Sequence, residues 1–202
     1  MTLLAASGIR ASFWANVGLL DGFTVTDGGF EISPLHRAPW VDEGKAMPED
    51  TAPHMLRLGG DFFCAPFAGR EGGSALHGWP ANAPWTVTRV KNGRLEARLD
   101  RLVQGATLTK TLHLHDDHPF VYQTHRFDGG TGRIPVANHA NISVKNGALI
   151  RASPKYCWET PKDPQESDPA RGRSLLSYPA RTTDPTAFPG IAGAVDLMSY
   201  PW

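Results

Sequence analysis

The chain carries eight histidines, the side chains best suited to moving protons near neutral pH, and their spacing separates two kinds of candidate chemistry. His113, His115 and His118 fall together in HLHDDH. An i, i+2 pair on a strand shares a face and can chelate a metal. The third histidine sits in a turn beside Pro119 and no fourth ligand accompanies it. A strand face bearing titratable histidines is therefore preferred over a metal centre. His77 and His139 are far apart in sequence, in LHGWPANAPW and PVANHANISV, each at the end of an extended run. With aromatic residues, Asn138, Asn141, Arg70 and Asp61 near them in sequence, they suit a neutral polyhydroxylated ligand. Such a ligand needs polar groups for its hydroxyls and an aromatic surface for its C–H face. The bland alternative is that either imidazole bonds a backbone carbonyl in its loop.

Other chemistries find less support. Cys64 could act as a nucleophile with His77 as its base, but nothing in the spacing joins them, and a buried free cysteine is the commoner case. The chain has no G-x-S-x-G elbow, no P-loop and no G-x-G-x-x-G. Lys plus Arg and Asp plus Glu are both 20, so the formal net charge is zero, and the signs are interspersed. That balance sets up no field to attract nucleic acid or an anionic membrane. Two cysteines make no disulfide framework. The N-terminal residues have no basic leader before their apolar run and are too broken for a span, so a soluble cytoplasmic protein is the expectation.

The elements that must position these residues read as strands. The 21 glycines and 17 prolines punctuate short apolar runs, a pattern of many short strands and turns. Residues 1–22 are ambiguous, because Ala5, Ile9, Phe13 and Val17 share a helical stripe that Gly8 and Gly18 weaken. Phe23 and Val25, then Phe30 and Ile32, flank Asp27-Gly28-Gly29 as two strands about a turn. The stretch 44–54 is polar and expected to be exposed. The stretch 56–85 is Gly-rich yet keeps Trp79, Trp85 and three phenylalanines, which marks a loop held against something. Thr86–Val90 and Leu95–Leu99 flank Lys91-Asn92-Gly93 as a hairpin, with a bulge expected near 101–103. Leu108, Leu112 and Leu114 form one strand face opposite Thr107, Thr109, Thr111, His113 and His115, and Phe120–Phe127 runs back. Asn141–Val144 and Ala148–Ile150 are expected to pair about a second Lys-Asn-Gly turn. Residues 152–202 hold eight of the seventeen prolines and no periodicity, and are expected to be irregular. The fold class is all-β, an antiparallel β-sandwich, taken as a single domain over 1–202.

At this point the chain resembles the aldose 1-epimerase (galactose mutarotase-like) family, over roughly residues 23–150. Gly28-Gly29 through Pro34-Leu35 to Ala38-Pro39-Trp40 is similar to that family's early Gly-Gly strand and Pro-Trp loop. Leu76-His77-Gly78-Trp79, followed by Asn82 and Pro84-Trp85, is similar to its His-Gly-aromatic segment. Leu108–Leu112 resembles the strand before its central hairpin, and Asn138-His139 its second histidine motif. The resemblance implies a supersandwich that binds a free aldohexose and interconverts its anomers, without cofactor or metal. It implies that His139 is the acid for the ring oxygen and that His77 gives a polarising hydrogen bond. Arg70, Trp79, Asn82 and Asn138 are the implied substrate-binding residues. The family's basic glutamate lies in the last third of a longer chain, and no position here matches it; Glu159 and Glu166 do not inherit the role. The expectation is thus a sandwich incomplete at its C-terminal end. Where phosphosugar relatives carry arginine this chain has Ala81, which argues against a phosphorylated hexose. A non-catalytic carbohydrate-binding domain of the same fold is the competing reading, and a metal-dependent hydrolase using His113, His115 and His118 a more distant one.

Overall fold

The computed structural model describes residues 1–67, 75–164 and 174–201. Its contacts divide the chain, read from sequence as one domain, into two compact units, Met1–Ser143 and Val144–Trp202. Both are built from antiparallel strands, so the protein is all-β. Among the described residues no helix is long and apolar enough to cross a membrane.

In the first unit the N-terminal ambiguity resolves to strand. β1 (Thr2–Ala6) and β2 (Ile9–Trp14) form a hairpin around Gly8, which takes φ +72°. The period-2 set Ile9, Ala11 and Phe13 is buried, and it outweighs a helical stripe that two glycines interrupt. β3 (Leu19–Asp27) pairs with β2 and, about Gly28-Gly29, with β4 (Phe30–Ile32). β5 (Asp61–Cys64) then joins β3 on one side and β10 (Ala137–Ala140) on the other, giving the order β1-β2-β3-β5-β10. β6 (Trp85–Lys91), β7 (Arg94–Leu99), β8 (Ala106–His113) and β9 (Tyr122–Gly129) form a second, four-stranded meander. Asn92 and Gly93 both take positive φ in the expected hairpin. Within this meander the register shifts in β6, between Val87 and Arg89, rather than near 101–103.

One core joins the two sheets, with Leu4, Ile9, Phe13 and Phe63 from the first and Trp85, Leu95, Leu108 and Leu112 from the second. This is a sandwich. Phe13 meets Trp85 edge-on, ring centroids 6.5 Å apart. The inner face of β8 holds a residue the hydrophobic pattern concealed: Lys110, fully buried between Leu108 and Leu112. Its Nζ donates to Gly18 O at 3.1 Å and lies 5.6 Å from the Phe13 ring and 5.9 Å from the Trp85 ring. The carbonyl and the negative ring faces offset part of the cost of burying an ammonium. Burial still pushes its pKa down to about 8, against the pull of Asp61 and Cys64.

The second unit contains β11 (Ala148–Leu149) paired with β16 (Ser199–Tyr200), β12 (Trp158–Thr160) with β13 (Ala180–Thr182), and β14 (Phe188–Gly190) with β15 (Gly193–Val195). The Pro-rich segment expected to be irregular thus forms short strand pairs. The second Lys-Asn-Gly hairpin does not form. Ile142 bridges to Leu35, and Ala148 and Leu149 pair with Tyr200 and Ser199. Gly147 serves a close approach instead of a hairpin turn, since a Cβ there would lie 2.4 Å from Tyr200 O.

Candidate functional site

β5 decides which side chains meet, because its four residues are all buried and point alternately to opposite faces. Asp61 and Phe63 share one face, Phe62 and Cys64 the other. Phe63 enters the sandwich core, where its ring stacks on His125 with centroids 3.7 Å apart. Asp61 accepts from Gln123 Nε2 on β9, so it too is turned to the interior. Burial raises its pKa, against the hydrogen bond from Gln123 and the charge of Lys110. His125, a direct register partner of Lys110, is pushed down to about 3, by burial first and then by Lys110.

The other face of β5 gathers three imidazoles. His139 on β10 is the register partner of Phe62, and their rings stack at 4.7 Å and 8°. His77 approaches from the turn before β6, its centroid 5.2 Å from that of His139 and 5.7 Å from Phe62. The two histidines singled out by sequence are therefore brought together. Phe67 lies 6.2 Å from His77 and 6.3 Å from His139, and is 41% exposed, a second aromatic surface at the same place.

The third imidazole, His54, contradicts the expectation that 44–54 is exposed: only 2% of it is accessible. The 3-10 turn Met55–Arg57 follows it, and Trp40 Nε1 donates to Met55 O at 2.9 Å, tying that turn down. His54 sits edge-on to His77, centroids 5.0 Å apart at 83°, and 5.5 Å from Phe62. No periodicity marked it, since the segment has none; a tertiary bond buries it. That bond is His54 Nδ1 to Asn82 Oδ1, 2.8 Å. Asn82, at the end of the 3-10 turn Trp79–Ala81, also donates from Nδ2 to Leu76 O at 2.7 Å and Gly78 O at 2.8 Å.

These two carbonyls flank His77, whose backbone takes φ +65°, a left-handed conformation uncommon outside glycine. Gly78 follows at φ +73°, pressed so closely on β5's continuation that a Cβ would lie 2.0 Å from Ala65 O. The turn is thus clamped from two sides. Burial, then the neighbouring His54 and His139, push the His77 pKa down to about 4, and burial lowers that of His54. Both rings are neutral near pH 7. His54 Nε2, His77 Nδ1 and His139 Nδ1 are each buried without a hydrogen-bond partner.

The remaining expected site residues take different places, and so does Asp21, a carboxylate the sequence did not single out. Asn82 belongs to the cluster as a buried support. Trp79 packs against the sandwich core with Arg101 5.2 Å above its ring. Asn138 is exposed and, one residue before His139 on β10, points to the opposite face. Arg70 lies outside the described residues, as does Glu166. Asp21 carries a carboxylate already committed, to Arg37 and to the Gly22 amide.

The alternative chemistries fare as follows. Cys64 is wholly buried with Val17, Leu19, Phe62 and Ala81, and its thiol is pushed up to about 12, so it is a packed side chain and a poor nucleophile. His113, His115 and His118 do approach one another, with centroids 3.8 and 5.8 Å apart along the series, and His118 Nδ1 bonds Tyr122 Oη at 3.1 Å. Among the described residues no group of three or more His, Cys, Asp or Glu side chains is arranged to hold a metal. Glu159 is exposed on β12, 4.0 Å from Arg181.

No protein-family model, curated protein or solved structure matches this chain.

Proposed function

We propose that this chain binds a free aldohexose beside His77 and His139 and interconverts its α and β anomers, on a galactose mutarotase-like supersandwich. The observation that carries the reading is the pair itself: two imidazoles 5.2 Å apart over the ring of Phe62. Polar ring nitrogens beside aromatic surfaces suit a ligand with hydroxyls on its rim and C–H bonds on its face. The resemblance of His-Gly-Trp and Asn-His to the epimerase motifs adds to it. In this mechanism His139 protonates the ring oxygen, the C1–O5 bond breaks, and the anomeric hydroxyl loses its proton as C1=O1 forms. Rotation about C1–C2 and reclosure give the other anomer. His77, held neutral by burial, contributes a hydrogen bond.

One observation favours a second reading, a carbohydrate-binding domain without catalysis. Asp61 is turned to the sandwich interior and Asp21 is committed to Arg37, so neither offers the imidazoles a free carboxylate base. Polarimetry of freshly dissolved α-D-glucose and α-D-galactose separates the two, with binding measured in parallel by calorimetry. The epimerase accelerates anomerisation, and His139→Ala loses about 10²–10⁴ of that acceleration. Binding at the spontaneous rate leaves the second reading standing. No binding of either hexose removes both.

A further inference from the structure

Among the described residues no carboxylate is hydrogen-bonded to the three imidazoles, and the hydrogen bonds around them bear on which ring can act as the base. Asn82 Nδ2 faces two backbone carbonyls, Leu76 O and Gly78 O, which can only accept. The amide is therefore oriented without ambiguity, with Oδ1 toward His54 Nδ1. An amide oxygen can only accept, so His54 carries its proton on Nδ1 and its lone pair on Nε2. That Nε2 is buried and unpaired, in a side chain that is 2% exposed. The ring beside it, edge-on at 5.0 Å, is His77, whose Nδ1 is also buried and unpaired. A buried polar atom without a partner costs about 1–3 kcal/mol, and joining these two satisfies both. In a bond between them His54 Nε2 can only accept, so His77 Nδ1 would be the donor and His77 Nε2 would hold the lone pair.

We propose that Asn82 and His54 are positioning residues that set the tautomer of His77 through a His77 Nδ1–H to His54 Nε2 hydrogen bond, and that His77 Nε2 is the general base of the anomerisation. The catalytic half of this rests on the epimerase reading above; the tautomer order does not. His77 Nε2 takes the anomeric hydroxyl proton while C1–O5 breaks. The bond's electron pair goes to O5, which takes a proton from His139, and the O1–H pair forms C1=O1. Reclosure reverses both transfers and resets both rings. The role differs from the polarising donor that the resemblance implies for His77, and it follows from the nitrogen that the proposed His77–His54 bond leaves unprotonated. Burial gives this imidazole the basicity of an ordinary carboxylate. The left-handed turn at His77, clamped by the same Asn82 amide, is strain of the sort that persists where a side chain must be aimed.

Nitrogen-15 NMR of histidine-labelled protein near neutral pH reads the tautomers directly, with no variant required. His54 and His77 are expected as Nδ1–H forms. In His54→Phe, which retains an aromatic ring of similar size, the Nε2–H form of His77 should grow. Anomerisation should fall at least roughly tenfold while hexose affinity changes less than about twofold. Acceleration by a wild-type protein whose His77 is the Nε2–H tautomer overturns the relay and leaves the epimerase reading intact. The same holds if the His77 tautomer is unchanged in His54→Phe. The expected tautomers without any acceleration overturn the base role together with the epimerase reading.

Discussion

His139 and Phe62 are direct register partners across β10 and β5, and their rings lie parallel, 4.7 Å apart. Directly opposed residues on antiparallel strands point to the same face. The strand pairing therefore aims His139 at the surface that also receives His77 and His54. It leaves Asn138 and Asp61 on the other face.

Phe62 is then both core and floor. Phe62→Leu keeps most of the buried apolar mass and loses the stacks, at a cost of about 1 kcal/mol in urea unfolding. Phe62→Ala opens a cavity and costs about 3–5 kcal/mol. Hexose binding should weaken in Phe62→Leu even at temperatures where the variant is fully folded. Unchanged affinity would remove Phe62 as the support of the imidazoles.

Gly78 should tolerate no side chain. Alanine there combines a positive φ with a Cβ 2.0 Å from Ala65 O, a backbone atom that cannot swing away. Gly78→Ala is expected to cost about 3 kcal/mol or more. Gly28→Ala is the control: it also has positive φ, but nothing lies within 4 Å of its Cβ. It should cost only about 1 kcal/mol. Equal thermal shifts for the two would refute the close approach.

Acid should destabilise the fold in a defined window. His77 and His125 titrate at about 4 and about 3 in the folded chain, below the ordinary 6.5. Between those values the unfolded chain binds more protons, so stability rises with pH. The contribution is complete above 6.5 and is lost as pH falls toward 3. His77→Gln and His125→Gln should each flatten the slope of unfolding free energy against pH over that range.

Lys110 predicts an opposite-side effect of the same sign. Its folded pKa, about 8, lies below the ordinary 10.5. From 8 to 10.5 the unfolded chain again binds more protons at this position, so Lys110 contributes stability that rises with pH, against the fall that the raised Cys64 thiol contributes from 9 upward. Lys110→Met should make the slope of stability against pH less positive between 8 and 10.5 in urea titrations, since it removes the titrating group and keeps an unbranched apolar stem.

The strand pattern, and with it the all-β class, was legible in the sequence because a half-buried strand must alternate. Leu95, Ala97 and Leu99 are buried as their spacing requires, and Lys91-Asn92-Gly93 turns as its residue types demand. His77 and His139, singled out by residue type and loop context, do come together in the structure. Position along the chain could not reveal His54, buried in a segment with no periodicity by a bond to Asn82, twenty-eight residues away. Nor could it reveal what Lys110, on the apolar face of β8 between Leu108 and Leu112, would meet there, since the Gly18 carbonyl and the Phe13 and Trp85 rings come from elsewhere in the chain. The second Lys-Asn-Gly segment failed for a related reason: a turn signal is local, but strand pairing is settled by whichever partner the tertiary structure supplies, and Ala148 and Leu149 found Tyr200 and Ser199. By itself the sequence determined the β3–β4 hairpin and the four strands of the second sheet, and singled out His77 and His139. Only the tertiary structure decided the third imidazole and the face on which each carboxylate lies, because hydrogen bonds and strand register join residues that are distant along the chain.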